Sequence, residues 1–205
     1  MTQTLERPIS QLELKVKPES KPEARFEGSR VLPISVVQYE ALFEQGLLPP
    51  RVELIKGAIT AMPAMGNAHV DSIKTILVRL VLAYAAKAQI TSQTPVRLSA
   101  AFGEPEPDFM LINMTSRGVT EPEDVLLVIE IAKSTLETNR ADKLPMYAQH
   151  NIPEVWIHNL NNNTLEVYRN PRLVSSGWAY DAPVILELGQ KIAPLAFPTD
   201  LLEWW

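Results

Sequence analysis

The 205-residue chain contains no cysteine, which excludes a disulfide framework and any thiolate metal site. Its three histidines, His69, His150 and His158, do not fall at a zinc-ligand spacing, so any metal has to be a hard cation bound through oxygen. Long apolar runs are also missing. The best candidate, 75–90, is interrupted by Arg79 and Lys87 and is too short to span a bilayer. The start of the chain has no basic segment followed by an apolar core, so a cytoplasmic location without membrane association is expected. Positive charge is not in excess either. The net charge of −5 argues against nucleic-acid binding through a broad basic surface. It does not exclude a site in which carboxylates gather a metal and the metal meets a phosphate.

What is present is an ordinary globular composition, 46% hydrophobic and 21% charged, enough for one well-filled core. Residues 1–30 hold six Lys/Arg and five Asp/Glu with scattered proline, and are expected to form a flexible tail ahead of a single domain over 31–205. The alternation Leu12, Leu14, Val16 is the one place in the tail where an edge strand is conceivable. Ser35 and Gln38 have capping-box spacing and Gly46 supplies a stop, which predicts a helix over 36–45. In 51–62, Lys56-Gly57 separates two β-type runs and predicts a hairpin. From Asn67 as N-cap, apolar residues recur at 70, 73, 76, 77, 80, 81 and 84 on one helical face.

Strands are expected over 89–98, 107–112 and 125–132, the last an unbroken apolar run suited to a central position. A helix over 138–149 follows, capped by Thr138 or Asn139 and disturbed by Pro145. EVWIHNL and TLEVYRN then read as a hairpin pair, with a further strand or two and a short terminal turn from Trp178 onward. Trp156 and Tyr168 are expected in the core rather than as base-stacking groups. Trp204 and Trp205 are expected to cover the sheet or to form an oligomer contact. The fold class is therefore mixed α/β (α+β).

Two acids interrupt apolar strands. Asp108 precedes Phe-Met-Leu-Ile, and Glu130 lies inside Val-Leu-Leu-Val-Ile-Glu-Ile-Ala. A carboxylate in such a place needs a metal or a cation as partner. Adjacent strands lie about 4.8 Å apart, so acids at matched depth can share one Mg²⁺ or Mn²⁺. With a lysine nearby, that set supports phosphodiester hydrolysis by metal-activated water.

Pro107-Asp108 followed by Glu130 on the next strand resembles the PD-(D/E)XK nuclease core. The wider stretches RVELIKGAITAM, EPEPDFMLI, PEDVLLVIEIAKSTLETNRADKLPMYAQHNIPEVWIHNL and LEVYRNP resemble the Uma2 family of restriction-type endonucleases, common in cyanobacteria, over roughly 33–200. The resemblance implies a restriction-endonuclease-like core, a central mixed sheet flanked by helices with an N-terminal helix and hairpin. It further implies DNA as the substrate and Asp108 and Glu130 as metal ligands. Homodimers are a natural assembly for cutting two strands.

The usual lysine position, two residues after the acid, is Ala132. Lys143 is therefore preferred, with Lys133 on a local bulge as the alternative. Tyr147, one turn later, is expected beside Lys143. Glu53 reads better as a hairpin salt bridge than as a ligand, and His69 is left outside the expected site. Lys56, Ala58 and Lys133 depart from the family pattern, which keeps open a weakened or inactive member acting as a nucleic-acid-binding or protein-interaction module.

Overall fold

The computed structural model describes residues 32–204. The tail and the strand considered at residues 12–16 lie outside them. A six-stranded mixed sheet organises the chain: β3 (Gln89–Ser92), β4 (Phe109–Ile112), β5 (Val125–Ala132), β6 (Glu154–Asn159), β7 (Thr164–Arg169) and β10 (Val184–Leu186), in the spatial order β10-β7-β6-β5-β4-β3. Neighbours run antiparallel except β5 and β6, which are parallel. A parallel pair needs a crossover, and the helical segment between β5 and β6 provides it.

That crossover is α3 (Leu136–Thr138), a π-helical turn over Asn139–Lys143, and α4 (Leu144–Gln149). Helicity begins before Thr138, so neither Thr138 nor Asn139 is its cap. The disturbance expected at Pro145 takes the form of this π-helical turn just before it, with no break in the chain of helical residues. In an α-helix the Pro145 nitrogen would bond the Ala141 carbonyl; here Lys56 Nζ donates to that carbonyl at 3.2 Å.

On one face of the sheet, α2 (Asn67–Tyr84) packs Ile76, Leu80 and Tyr84 against Phe109, Leu127, Ile129 and Trp156. On the other, Leu144, Met146, Tyr147 and Ala148 pack against Met110, Val128, Val155 and Ile157. The apolar stripe of α2 is wider than its contact, since Leu77 and Val81 remain 37% and 45% exposed. Gly66, not Asn67, occupies the N-cap.

The first helix, α1 (Val36–Glu44), has the expected capping box. The hairpin of β1 (Val52–Ile55) and β2 (Ala58–Ala61) turns at Lys56 and Gly57, both at positive φ, as a type I′ turn requires. β3 stops at Ser92, well short of residue 98. Pro95 cannot donate to a ladder, and beyond it Val96 and Leu98 make only isolated bridges. Two small hairpin pairs complete the chain, β8 (Arg172–Val174) with β9 (Gly177–Ala179), and β11 (Lys191–Ile192) with β12 (Leu202–Glu203). The expected terminal turn is thus a strand. Trp156 is wholly buried, as is Trp204, which sits edge-on to Trp156 and His158 and covers the sheet. Among the described residues no helix is long and apolar enough to cross a membrane.

Candidate active site

Asp108 comes one residue before β4. In the β4–β5 ladder Phe109 faces Ile129, so one step outward sets Asp108 opposite Glu130. Alternation along β5 sends Leu127, Ile129 and Ile131 toward α2, and Val128, Glu130 and Ala132 to the α4 side. Glu130 therefore meets groups that the crossover segment delivers.

Both acids are held by named partners. Asp108 Oδ1 lies 2.9 Å from His69 Nε2, and Oδ2 accepts the Ile131 backbone N–H at 2.7 Å. Tyr147 Oη donates to Glu130 Oε1 at 2.7 Å. Lys143 Nζ lies 3.3 Å from the same oxygen and 2.9 Å from Glu53 Oε2. Glu53 also accepts the Glu106 backbone N–H at 3.3 Å. Asp108, Glu130, Lys143 and Glu53 are all buried.

Lys133 stands elsewhere. It is exposed, and β5 keeps its register with β6 through Ala132, so no bulge turns Lys133 toward Glu130. It lines an adjoining cavity with Ser134 and Gly66. Lys56 is also outside, pairing with Asp142 at 2.7 Å.

The structure brings in Glu53 and His69, which the sequence reading set aside. Glu53 sits in Val-Glu-Leu-Ile, all four of whose residues are buried, because β1 is flanked by β2 on one side and bridged to Glu104 on the other. The signal that marks Asp108 and Glu130, an acid among apolar strand residues, was present at Glu53 too. A strict one-face reading of the hairpin concealed it.

These groups line a cavity of about 120 Å³, together with Arg51, Thr138 and Asn139. Four carboxylates (Glu53, Glu106, Asp108, Glu130) face it against two fixed cations, Arg51 and Lys143. Burial pushes the Glu130 carboxyl up to about 7 against the pull of Lys143, with Asp108 and Glu53 adding to the rise. Glu106 is raised by burial and by Glu53. Burial alone would lower the Lys143 ammonium, but Glu130 and Glu53 outweigh it and raise it well above the usual lysine range. Tyr147 is pushed far up by burial and by Glu130, and stays a neutral donor.

A surplus of hard oxygen donors suits a divalent cation. Among the described residues no three His, Cys, Asp or Glu side chains form a metal-holding group. A cation here would rest on the facing carboxylates of Asp108 and Glu130 and complete its shell with water, as Mg²⁺ commonly does.

Comparison with known proteins bears on the family and the fold. Residues 38–201 match the model of the Uma2 family, described as "Putative restriction endonuclease". A crystal structure from Anabaena variabilis, titled as a putative nuclease belonging to DUF820, superposes with a TM-score of 0.60 at 17% identity. The match covers 83% of this chain and 95% of that one, and shows a shared fold. No functionally curated protein matches the chain.

Proposed function

The chain belongs to the Uma2 family, and from that premise we propose that it is a divalent-metal DNA endonuclease in which Asp108 and Glu130 hold the metal and Lys143 attends the reacting phosphate. The observation that carries this reading is the facing of Asp108 and Glu130 across adjacent strands with a buried lysine 3.3 Å from Glu130. Mg²⁺, or Mn²⁺, is the cation that this all-oxygen pair favours. When bound, it supplies charge stabilisation at a phosphoryl oxygen and lowers the pKa of the attacking water.

The chain's own groups do the positioning. His69 and the Ile131 amide fix both oxygens of Asp108, and Tyr147 fixes Glu130. Lys143 counters the negative charge that develops on the phosphate, held in place by its second partner Glu53. Plasmid DNA is expected to be nicked or cut in Mg²⁺, with chelator abolishing cleavage and Asp108→Asn reducing it by at least about 10²-fold. Full cleavage by Asp108→Asn would overturn the reading.

One observation favours a second reading. Lys143 already spans Glu53 and Glu130, so part of the buried negative charge is balanced without any cation. This suits a catalytically weakened member serving as a nucleic-acid-binding or protein-interaction module. Calorimetry with Mn²⁺ separates the two. Saturable binding that disappears in Glu130→Gln supports the nuclease, and no heat of binding supports the module.

A further inference from the structure

Beside the catalytic cavity lies a second one, of about 300 Å³. The two adjoin, sharing Pro63, Met65, His69 and Thr135 in their walls. Their charges differ. Four carboxylates face the catalytic cavity, whereas no Asp or Glu lines the second, and its one Lys or Arg residue is Lys133. In a chain with 24 acidic residues against 19 basic ones, an acid-free cavity with a lysine is a place for an anion.

Lys133 is anchored by its main chain and free at its tip. It follows Ala132, the last residue of β5, and continued alternation sends it to the side of α2, whose opening residues form a wall of the second cavity. The Ala132 carbonyl accepts the Leu160 N–H at 2.8 Å, and the Lys133 carbonyl accepts the Asn161 side-chain amide at 3.0 Å. The residue is exposed, and its ammonium makes no ion pair or hydrogen bond among the described residues. Other lysines are occupied: Lys56 with Asp142, Lys74 with Asp71, Lys87 with Asp200, and Lys143 with Glu53 and Glu130. Ser134 and Thr135 bring two hydroxyls to the same cavity.

An uncommitted ammonium beside hydroxyl donors, in a cavity that adjoins the place of hydrolysis, fits a phosphate. It is not the phosphate being cut, because β5 keeps its register through Ala132 and Lys133 faces away from Glu130. A nucleic-acid strand carries further phosphates beside the reacting one, and contacts to them set the strand's position without reading its sequence.

We propose that Lys133 binds a phosphate of the DNA strand next to the one being cut, with that neighbouring phosphate seated in the second cavity. The inference rests on the nuclease reading. Lys133 holds substrate and takes no part in breaking the bond.

The test uses the full chain, a duplex DNA oligonucleotide, and the variants Lys133→Ala, Lys133→Arg and Lys191→Ala. Lys191 also makes no ion pair among the described residues but lines neither cavity, so its loss is a control of equal charge change. Steady-state cleavage is followed at fixed Mg²⁺ over a series of sodium chloride concentrations. Lys133→Ala is expected to raise KM about tenfold and to make log KM depend less steeply on log salt, by about one, with kcat within about twofold. Lys133→Arg, which keeps the charge, and Lys191→Ala are expected to stay near wild type.

A Lys133→Ala variant that behaves like Lys191→Ala overturns the inference and leaves the nuclease reading standing. A fall in kcat at unchanged KM also overturns it, since Lys133 would then act at the reacting phosphate. Equal weakening by Lys133→Arg overturns it too, because charge would not be what binds. A wild-type chain that leaves the duplex intact in Mg²⁺ overturns the nuclease reading itself, and this inference with it.

Discussion

Lys143 is the residue on which the buried charge depends. Its ammonium is the cation that contacts Glu53 and Glu130, so Lys143→Met leaves two buried carboxylates facing each other's charge. Removing one partner of such a group typically costs about 3–5 kcal/mol, and urea unfolding at neutral pH should show a loss of that order. Glu104 makes a separate prediction. It is buried with one carboxylate oxygen unpartnered among the described residues. Burial and the Glu40 charge lift its pKa to about 7, against Arg97.

A carboxyl raised in the folded state favours folding while protonated. Its contribution is full below the unfolded value of 4.5 and is lost as pH rises through about 7. Glu104→Gln should therefore gain stability relative to wild type between pH 5 and pH 8, on the order of 1–3 kcal/mol. Equal unfolding curves at both pH values would contradict it. At this scale the sequence made Asp108 and Glu130 legible because each interrupts an apolar strand. Glu53 carried the same signal and was lost by reading its hairpin as one-faced, whereas His69 was hidden because what aims it at the site is the docking of a helix, which no local pattern encodes.

Among the elements, the β1–β2 hairpin has to sit correctly for Glu53 to reach Lys143. Its turn residue Gly57 has φ +79°, and a Cβ there would meet the Pro33 Cβ at 2.3 Å. Its N–H also donates to the Phe102 carbonyl at 2.7 Å. Gly57→Ala should thus cost on the order of 2 kcal/mol and lower DNA cleavage as well, by shifting the strand that carries Glu53. Chemical denaturation and a plasmid assay on the same preparation check both effects.

Elements with strong local signals were readable: the Ser35–Gln38 capping box, the Lys56-Gly57 turn and the apolar run of β5 all take the expected form. β3 was overextended because Pro95 outweighs the β propensity around it. In the crossover the disturbance expected at Pro145 takes the form of the π-helical turn just before it, and the Lys56 ammonium that satisfies the Ala141 carbonyl comes from a distant hairpin that no local pattern indicates.

For the whole molecule, the order of strands and helices pointed to a mixed sheet, and the central place of β5 followed from its lack of alternation. The parallel pairing of β5 with β6 was implicit in the helical connection between them. The closing segment was less legible, since two adjacent tryptophans suit an interface as well as a core. Trp204 is fully buried against Trp156 and His158, so Trp204→Ala should cost about 3–5 kcal/mol. Thermal melting would register it as a drop of several degrees; an unchanged melting temperature would mean that this residue does not close the sheet in solution.

The six-stranded sheet ends on β3, of four residues, and on β10, of three. Such short margins expose few unpaired backbone groups and offer little template for another strand. Among the described residues, strand addition at the two margins of this sheet is therefore disfavoured. If two copies act together to sever both strands of a duplex, side-chain surfaces on helices or loops suit their contact better than the margins of this sheet. Their affinity should accordingly respond to point substitutions there, rather than to proline placed in β3 or β10.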